Sequence, residues 1–542
     1  MAGTVGGAKY GHVSLVCHIC VLFGLVFVGR VRRVDAAWEA GGAQLPDATV
    51  DGIPAVLAWA DKWVTSAEDD WAARHGGSLK HGRMASPAKW HEQIVYQIMP
   101  DRFNNGNLSN DKLNLPPQQR DADPKNPEGL PDFRHGGDVA GITERLDYIL
   151  DLGATTLWVT PLLHHDGLYH GYCITDPTSI DPGFGTLDEL HELVDEAHKR
   201  GIYVVLDVVI NHLCDDLTNY STPTTDHAAC ADALNANYWA GTPGGAPQQG
   251  NLSLADTFFP PLRNELFFNR CGPNQMNDTA SEEPVAVFGD FTWLMFDLDT
   301  RNVDLMNITT HLLQYWVALA DFDGFRFDAV KHVTDDYVAH MCTEIRTYAQ
   351  EKLGKDNFFI VGEVAASSDW EGRALGKMFS DPEDPTQHGT VPQALTSRLL
   401  ELKEQYLNHS AFPLPGLNAI YDFYVSGTSR DVLLGQNGQA PQAIADYFSS
   451  SAYATTAAQA DPRDSWTMLE IHDWPRYVTP RERGPIVGAR ECLFDFLEPC
   501  ACCWLHRCHL VRVPLVCALD CCMINLLVTS VSVLLARELL FY

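Results

Sequence analysis

Three acidic residues each close a short, largely apolar run that reads as a β-strand: Asp328, Glu363 and Asp473. In Gly324-Phe325-Arg326-Phe327-Asp328 the residues alternate, two phenylalanines on one face, an arginine and a carboxylate on the other. Period-two alternation is the pattern of a strand, and here it carries charge to the strand's C-terminal tip. Glu363 follows Phe358-Phe359-Ile360-Val361-Gly362, and Asp473 follows a run from Trp466 to Ile471 and then His472. Neighbouring strands lie about 4.8 Å apart. Carboxylates ending adjacent strands can therefore approach the roughly 5–5.5 Å needed for double-displacement cleavage of a glycosidic bond. One carboxylate attacks the sugar carbon; the other protonates the leaving oxygen and later activates water. Arg326, on the face of Asp328, favours its ionised form and so the nucleophile's role. Glu363, flanked by Val361 and Val364, is expected to be raised in pKa and to act as the acid. A buried Arg–Asp ion pair at a strand end is the competing structural reading of Arg326 and Asp328.

The elements that must position these acids alternate along the chain. Strand-like runs lie at Gln93–Met99, Thr155–Pro161, Ile202–Asp207, Leu417–Phe423 and Trp466–Ile471, besides those ending in Asp328 and Glu363. Helical patterns lie at Ile142–Leu152, Leu187–Arg200, Val303–Ala320 and Asp335–Leu353, with Gly153 and Gly201 as stops. Strand–helix alternation builds βαβ units on a parallel sheet. The class expected is α/β, a (β/α)8 TIM barrel with seven βα units recognisable, over residues 91–212 and 293–480. Such barrels carry functional residues at the C-terminal ends of several strands. Residues 213–292 are dominated by Gly, Pro, Asn and Asp, far longer than an ordinary βα loop, and predict a small domain inserted after the third strand. Residues 37–90 hold Trp-rich helical fragments. No eighth unit is legible after Arg476, and residues 481–542 form a Cys-rich apolar tail that does not continue the pattern.

A formal net charge of −32 argues against a nucleic-acid partner and suits a neutral substrate or a cation. An apolar run at 13–28 predicts a signal peptide within 1–36, although Arg30, Arg32 and Arg33 behind it keep a membrane anchor open. Residues 514–535 are a second candidate for membrane association. Six Asn-x-Ser/Thr sequons, at Asn107, Asn219, Asn251, Asn277, Asn307 and Asn408, agree with a secreted, extracellular protein. Of 15 cysteines, eight crowd into 492–522 and five are scattered through the body: Cys173, Cys214, Cys230, Cys271 and Cys342. Their spacing forms neither a zinc pattern nor a disulfide framework. One or two bridges among them are open, with Cys230–Cys271 the preferred pair.

Four stretches resemble, in order and spacing, the motif regions of the alpha-amylase family. They are Asp207-Val208-Val209-Ile210-Asn211-His212, Gly324 to His332, Gly362-Glu363-Val364 and His472-Asp473-Trp474-Pro475-Arg476. Tyr169-His170-Gly171-Tyr172 and Ile180 to Thr186 resemble further family stretches, and the likeness covers roughly residues 90–480. It implies endo-acting hydrolysis of α-1,4-glucosidic bonds in starch- or glycogen-type glucans, with retention, by a chain expected to act as a monomer. A glucanotransferase or isomaltase-type relative is one alternative; a catalytically silent, membrane-anchored ectodomain is another. The resemblance makes Asp328 the nucleophile, Glu363 the general acid/base and Asp473 the acid that holds the distorted sugar. Arg326 would position the nucleophile, His170, His212 and His472 would bond the sugar, and Tyr172 would stack on it. Lys331 and His332 would contact the next sugars, and Asp207 would form a structural ion pair. Calcium is the implied cofactor, held by Asn211, Asp297 and the carbonyl of His332. A second implied site comprises Asn105, Asn107, Asn110, Asp111, Gly136 and Asp138; a glycan on Asn107 would compete with it. Ile471 departs from the family, which usually has asparagine before His-Asp.

Overall fold

The computed structural model describes residues 45–116, 119, 133–214, 259–269, 287, 295–364, 416–434, 442–448, 464–468 and 471–473. The chain divides into the units Met1–Tyr477 and Val478–Tyr542, and the second lies wholly outside the described residues. So do the apolar runs at 13–28 and 514–535, Cys230 and Cys271, and most of the insertion between 213 and 292. Among the described residues no helix is long and apolar enough to cross a membrane.

The first element among the described residues is helix α1 (Ile53–Arg74), a single helix of 22 residues where only fragments were expected. Its Val56, Trp59, Ala60, Trp63, Val64, Ala67 and Trp71 recur at three- and four-residue steps and are buried, giving one apolar stripe. Strand β1 (Val95–Ile98) opens the sheet. The helix expected over Ile142–Leu152 is instead two, α2 (Val139–Glu144) and α3 (Leu146–Asp151), because Arg145 leaves helical geometry at φ −109°, ψ 11°. Then follow β2 (Thr156–Val159), β3 (Leu163–His165), β4 (Ile174–Ile180), α4 (Leu187–Lys199) and β5 (Tyr203–Val209). Helix α4 starts at a reciprocal cap in which Thr186 and Glu189 satisfy each other's backbone N–H groups.

Strands β6 (His212–Cys214) and β7 (Met295–Asp297) pair antiparallel, so the insertion leaves and re-enters through one hairpin-like ladder. After them come α5 (Val303–Ala320), β8 (Gly324–Asp328), α6 (Asp335–Tyr348, continued as a π-turn to Leu353) and β9 (Phe359–Gly362). Strand β10 (Ala419–Ile420) is shorter than the expected Leu417–Phe423. Asp422 ends it: the Val425 N–H donates to its carboxylate at 2.8 Å and the Ser426 N–H to its carbonyl at 3.0 Å, starting α7 (Phe423–Leu434).

The six strands β1-β2-β5-β8-β9-β10 form one parallel sheet, and Tyr421 bridges in parallel to Trp466, marking a seventh position. This is the curled sheet of a (β/α)8 barrel. Leu157, Val159, Val204, Leu206, Val208, Phe325, Phe327 and Ile360 pack outward against the helices. Trp158, Val205, Phe359, Val361, Ala419 and Tyr421 pack in a second, interior cluster with Trp90 and Ile471. Helix α5 is apolar nearly all round because it lies between that outer face and α1, where the Tyr315 and Trp63 rings stack 4.6 Å apart.

Both ends of β8 carry charge. At its N-terminal end the fully buried Lys355 ammonium lies 2.7 Å from Asp323 and 3.1 Å from Asp321. His198 donates to the same pair, at 2.8 and 3.3 Å, and Arg83 joins Asp321 at 3.2 Å. Against the downward pull of burial, the two aspartates raise His198 to about 9. This cluster ties the segment before β1 to the barrel floor, the end of such barrels where buried polar groups serve stability. The other end of β8 is different.

Candidate active site

At the C-terminal end of β8 a single buried guanidinium organises three acids. Arg326 Nη1 donates to Asp207 Oδ1 of β5 at 2.9 Å and also to Asp328 of its own strand. Its Nε donates to the Tyr421 hydroxyl at 2.8 Å. Nη2 lies 2.9 Å from Glu363 Oε2 but off the line of a hydrogen bond, so that contact is an ion pair. The register explains the convergence: Asp207 pairs with Arg326, and Phe327 with Gly362, so Asp328 and Glu363 follow on neighbouring strands. The ion pair expected for Asp207 is present. Its second oxygen accepts from Trp158 Nε1 at 3.0 Å and the Tyr172 hydroxyl at 2.9 Å.

Glu363 differs from Asp207 in having an open side. Its carboxyl is 17% exposed, whereas Asp207 is wholly enclosed. Burial pushes the Glu363 pKa up; Arg326 opposes this, and the neighbouring Asp328 carboxylate adds to it. The Ala329 N–H donates to Glu363 Oε2 at 3.2 Å. Ala329 itself is left-handed, φ 55°, directly after the strand, which for an alanine costs on the order of 1–2 kcal/mol. Asp473 sits 52% exposed; burial and then the Glu363 charge raise it to about 6.

Aromatic and imidazole rings form the wall beside these acids. Tyr172 and His472 lie parallel, centroids 5.2 Å apart at 11°, and the His170 ring lies 5.9 Å from Tyr172 at 26°. The Tyr172 N–H donates to His170 Nδ1 at 3.0 Å, and His212 Nε2 bonds the Tyr172 carbonyl at 3.0 Å. Burial lowers His212 to about 4; burial, then the Arg326 charge, lowers His472 to about 3. Both rings are neutral hydrogen-bonding groups at physiological pH. Gly171 makes the turn into Tyr172 at φ 79°, where a β-carbon would stand 2.4 Å from the Pro161 carbonyl. Lys331 and buried His332 lie on the single turn Val330–His332 that follows Ala329.

Spacing did not reveal one feature of this wall. Cys173, next to Tyr172, is disulfide-bonded to Cys214, two residues past His212, across 41 positions of sequence. One or two bridges were open to the body cysteines, and this pair is one the spacing did not single out: it meets because β4 and β6 come together, which local spacing cannot show. The preferred pair Cys230–Cys271 lies outside the described residues. Closing a 41-residue span is worth at most about 4 kcal/mol by loop entropy. Reduction with dithiothreitol is therefore expected to lower the melting temperature, as scanning calorimetry of oxidised and reduced protein would show. An unchanged melting temperature would contradict it. Trp158, Tyr421 and Gln97, which bonds the His472 ring, were likewise not singled out by spacing; their inward places on strands are the signal that could have found them.

The residues expected to hold a cation split into two groups. Asn211 and Asp297 are both fully buried at the β5 end and on β7, and Asp297 Oδ2 accepts from Asn269 Nδ2 at 2.7 Å. In the loop group, Asp138 is filled by donors: the N–H groups of Gly106, Asn107 and Gly141 and the Asn110 amide. The Asn107 amide donates to Glu189 at 3.0 Å. By contrast, the Asn105 and Asn110 side-chain oxygens are buried with no hydrogen-bond partner among the described residues. A β-carbon on Gly136 would stand 2.7 Å from the Asn105 amide and 3.0 Å from Asp111. No three His, Cys, Asp or Glu side chains converge as a metal centre among the described residues.

Residues 97–377 match the family model described as the alpha amylase catalytic domain, a stretch containing Asp207, His212, Arg326, Asp328 and Glu363 and ending before His472. The chain is 32% identical over 266 residues to an alpha-amylase of Streptomyces lividans, covering 43% of this chain and 28% of that one. It is 29% identical over 272 residues to a cyclomaltodextrinase of Thermoanaerobacter pseudethanolicus, covering 50% and 39%. A neopullulanase 2 of Thermoactinomyces vulgaris shares 43% over 124 residues, covering 23% and 20%. The chain thus spans well under half the length of these relatives. Among solved structures, an Anoxybacillus alpha-amylase aligns with TM-score 0.44 and 24% identity, covering 72% and 64% of the two chains. With more than half its length matched by the catalytic-domain model, the chain belongs to the alpha-amylase family, glycoside hydrolases acting on O-glycosyl bonds.

Proposed function

We propose that the protein hydrolyses α-1,4-glucosidic bonds inside starch- or glycogen-type glucans with retention at the anomeric carbon. The observation that carries this reading is Arg326 holding Asp328 and Glu363 together, with burial raising Glu363. Asp328 attacks the anomeric carbon while Glu363 gives its proton to the departing glycosidic oxygen; a glycosyl–Asp328 ester forms as the C–O bond breaks. Glu363, now ionised, takes a proton from water, whose oxygen attacks the same carbon and releases Asp328. Asp473, His212 and His472 bond hydroxyls of the distorted sugar, and Tyr172 stacks on its apolar face. His170 bonds the same sugar, and Lys331 and His332 meet the sugars beyond the cleavage point, which favours internal attack. The Cys173–Cys214 bond, of a kind that persists in oxidising compartments, supports a secreted enzyme meeting glucan outside the cell.

Chromatography of early products from amylose tests this reading: a spread of oligosaccharide lengths is expected, and glucose alone would contradict it. Relatives named cyclomaltodextrinase and neopullulanase place cyclic maltodextrins and pullulan in the same panel, where cyclised or transferred products would point to the transferase alternative. Asp328, Glu363 and Asp473 together speak against the silent-ectodomain alternative, which needs none of them.

A calcium ion fits this reading as a structural tie. The unpartnered Asn105 and Asn110 oxygens, with Asp111 and the Gly136 carbonyl, offer hard oxygen ligands of the kind calcium takes. Asn211, Asp297 and the His332 carbonyl are the second candidate set. Bound calcium would join loops and take no part in bond cleavage. At a hundredfold excess over its dissociation constant it would add about 2.7 kcal/mol. EGTA is expected to lower the melting temperature and added calcium to restore it; equal melting curves would remove calcium from the account.

A further inference from the structure

Four side chains hold His472, and two of them, on β1 and β2, are outside the motifs. On β1, the Gln97 side-chain amide lies 2.6 Å from His472 Nδ1. His472 Nε2 lies 3.2 Å from Asp473 Oδ2. Tyr172 covers one face of the ring, and Trp158 meets it edge-on at 6.0 Å and 74°. The Gln97 atom that faces Nδ1 is its amide nitrogen, which donates and does not accept, so Nδ1 is the accepting lone pair. A neutral imidazole then carries its one proton on Nε2, the nitrogen 3.2 Å from Asp473 but outside hydrogen-bond geometry to it. The preceding residue contributes no polar contact, because Ile471 is packed in the interior cluster with Trp158, Val361 and Tyr421. Gln97 thus reaches His472 from 375 positions away in the chain.

We propose that Gln97 is a positioning residue: its amide donates to His472 Nδ1, fixes the Nε2–H tautomer and presents that N–H, beside Asp473, to a sugar hydroxyl. This deepens the proposed function and rests on it where it invokes sugar. A methionine at 97 keeps the length and cannot donate; a glutamate accepts from Nδ1–H and so favours the opposite tautomer or the charged ring. Gln97→Met is expected to lower kcat on amylose by about 10- to 100-fold, the scale for losing a group that orients a functional histidine, with KM and melting temperature little changed. Gln97→Glu is expected to fall at least as far and to shift the pH–rate profile, which a packing role would leave in place.

The tautomer itself is read in the native protein by long-range ¹H–¹⁵N spectra of ¹⁵N-histidine-labelled chain, the His472 signals being assigned by their loss in His472→Gln. A proton on Nε2 with Nδ1 bare supports the proposal. A proton on Nδ1, or a Gln97→Met enzyme with native kcat, overturns it. This measurement stands if the variants fail to fold. It also separates the two readings: a native protein inactive on every glucan would refute the proposed function, and the spectra would still decide what Gln97 does.

Discussion

Asp328→Asn is expected to lower kcat on amylose by about 10⁴-fold or more, the scale on which loss of one member of a catalytic unit is felt. Glu363→Gln is expected to cost about 10²–10⁴-fold, as for a general acid/base. Neither change removes the guanidinium that holds the site, so circular dichroism and melting curves should stay close to native. The pH dependence supplies a sharper sign. Glu363 acts first as a proton donor, and its pKa is raised above the ordinary glutamate value by burial, with Arg326 opposing and Asp328 adding. Activity should therefore fall as pH rises through that elevated pKa, and Glu363→Gln should abolish this alkaline limb. With a glucosyl fluoride, whose leaving group needs no proton, the first step should survive in Glu363→Gln. A native-like rate on amylose in either variant would contradict the assignment.

Arg326→Met should be the most destabilising single change at this end of the barrel. It leaves Asp207, which is fully enclosed, facing Asp328 and Glu363 without a countercharge. Removing one partner of a buried ion pair costs about 3–5 kcal/mol. The expected readout is a large drop in melting temperature together with loss of activity. Adding Asp207→Asn should recover part of the stability, because the orphaned charge is gone, and none of the activity, because Asp328 and Glu363 still lack their holder. A single variant that melts like the native protein would show that the guanidinium does not hold the site. Equal stabilities of single and double variants would show that Asp207 and Arg326 are uncoupled.

What could be read from the chain alone was set by sequence distance. The alternation around Arg326 is local, and the strand, its two faces and the charged tip all appear as the residues imply. Glu363 was legible for the same reason, since Gly362 ends a run whose apolar residues alternate, Phe358 and Ile360 outward, Phe359 and Val361 inward. Helix α1 was blurred because its stripe mixes tryptophans, alanines and two valines, whose spacing becomes decisive only when α5 covers them. The end of β10 was misplaced because Asp422 starts a helix where the apolar residues Tyr421 and Phe423 suggest a continuing strand. Cys173 and Cys214, and Gln97 and His472, are pairs made by the closing of the sheet, and no local pattern announces such pairs. Arg326 was first legible as either a structural ion pair or a nucleophile's partner; the geometry makes it both at once, to Asp207 on one side and Asp328 on the other.

The most direct test of the central claim is to trap the covalent intermediate. The Glu363→Gln variant, incubated with α-maltosyl fluoride, can form the glycosyl ester without an acid and cannot hydrolyse it quickly without a base. Digestion and peptide mass spectrometry are predicted to find one maltosyl group on the peptide that contains Asp328. The group on any other acidic residue, or fluoride release with no adduct, would contradict the account.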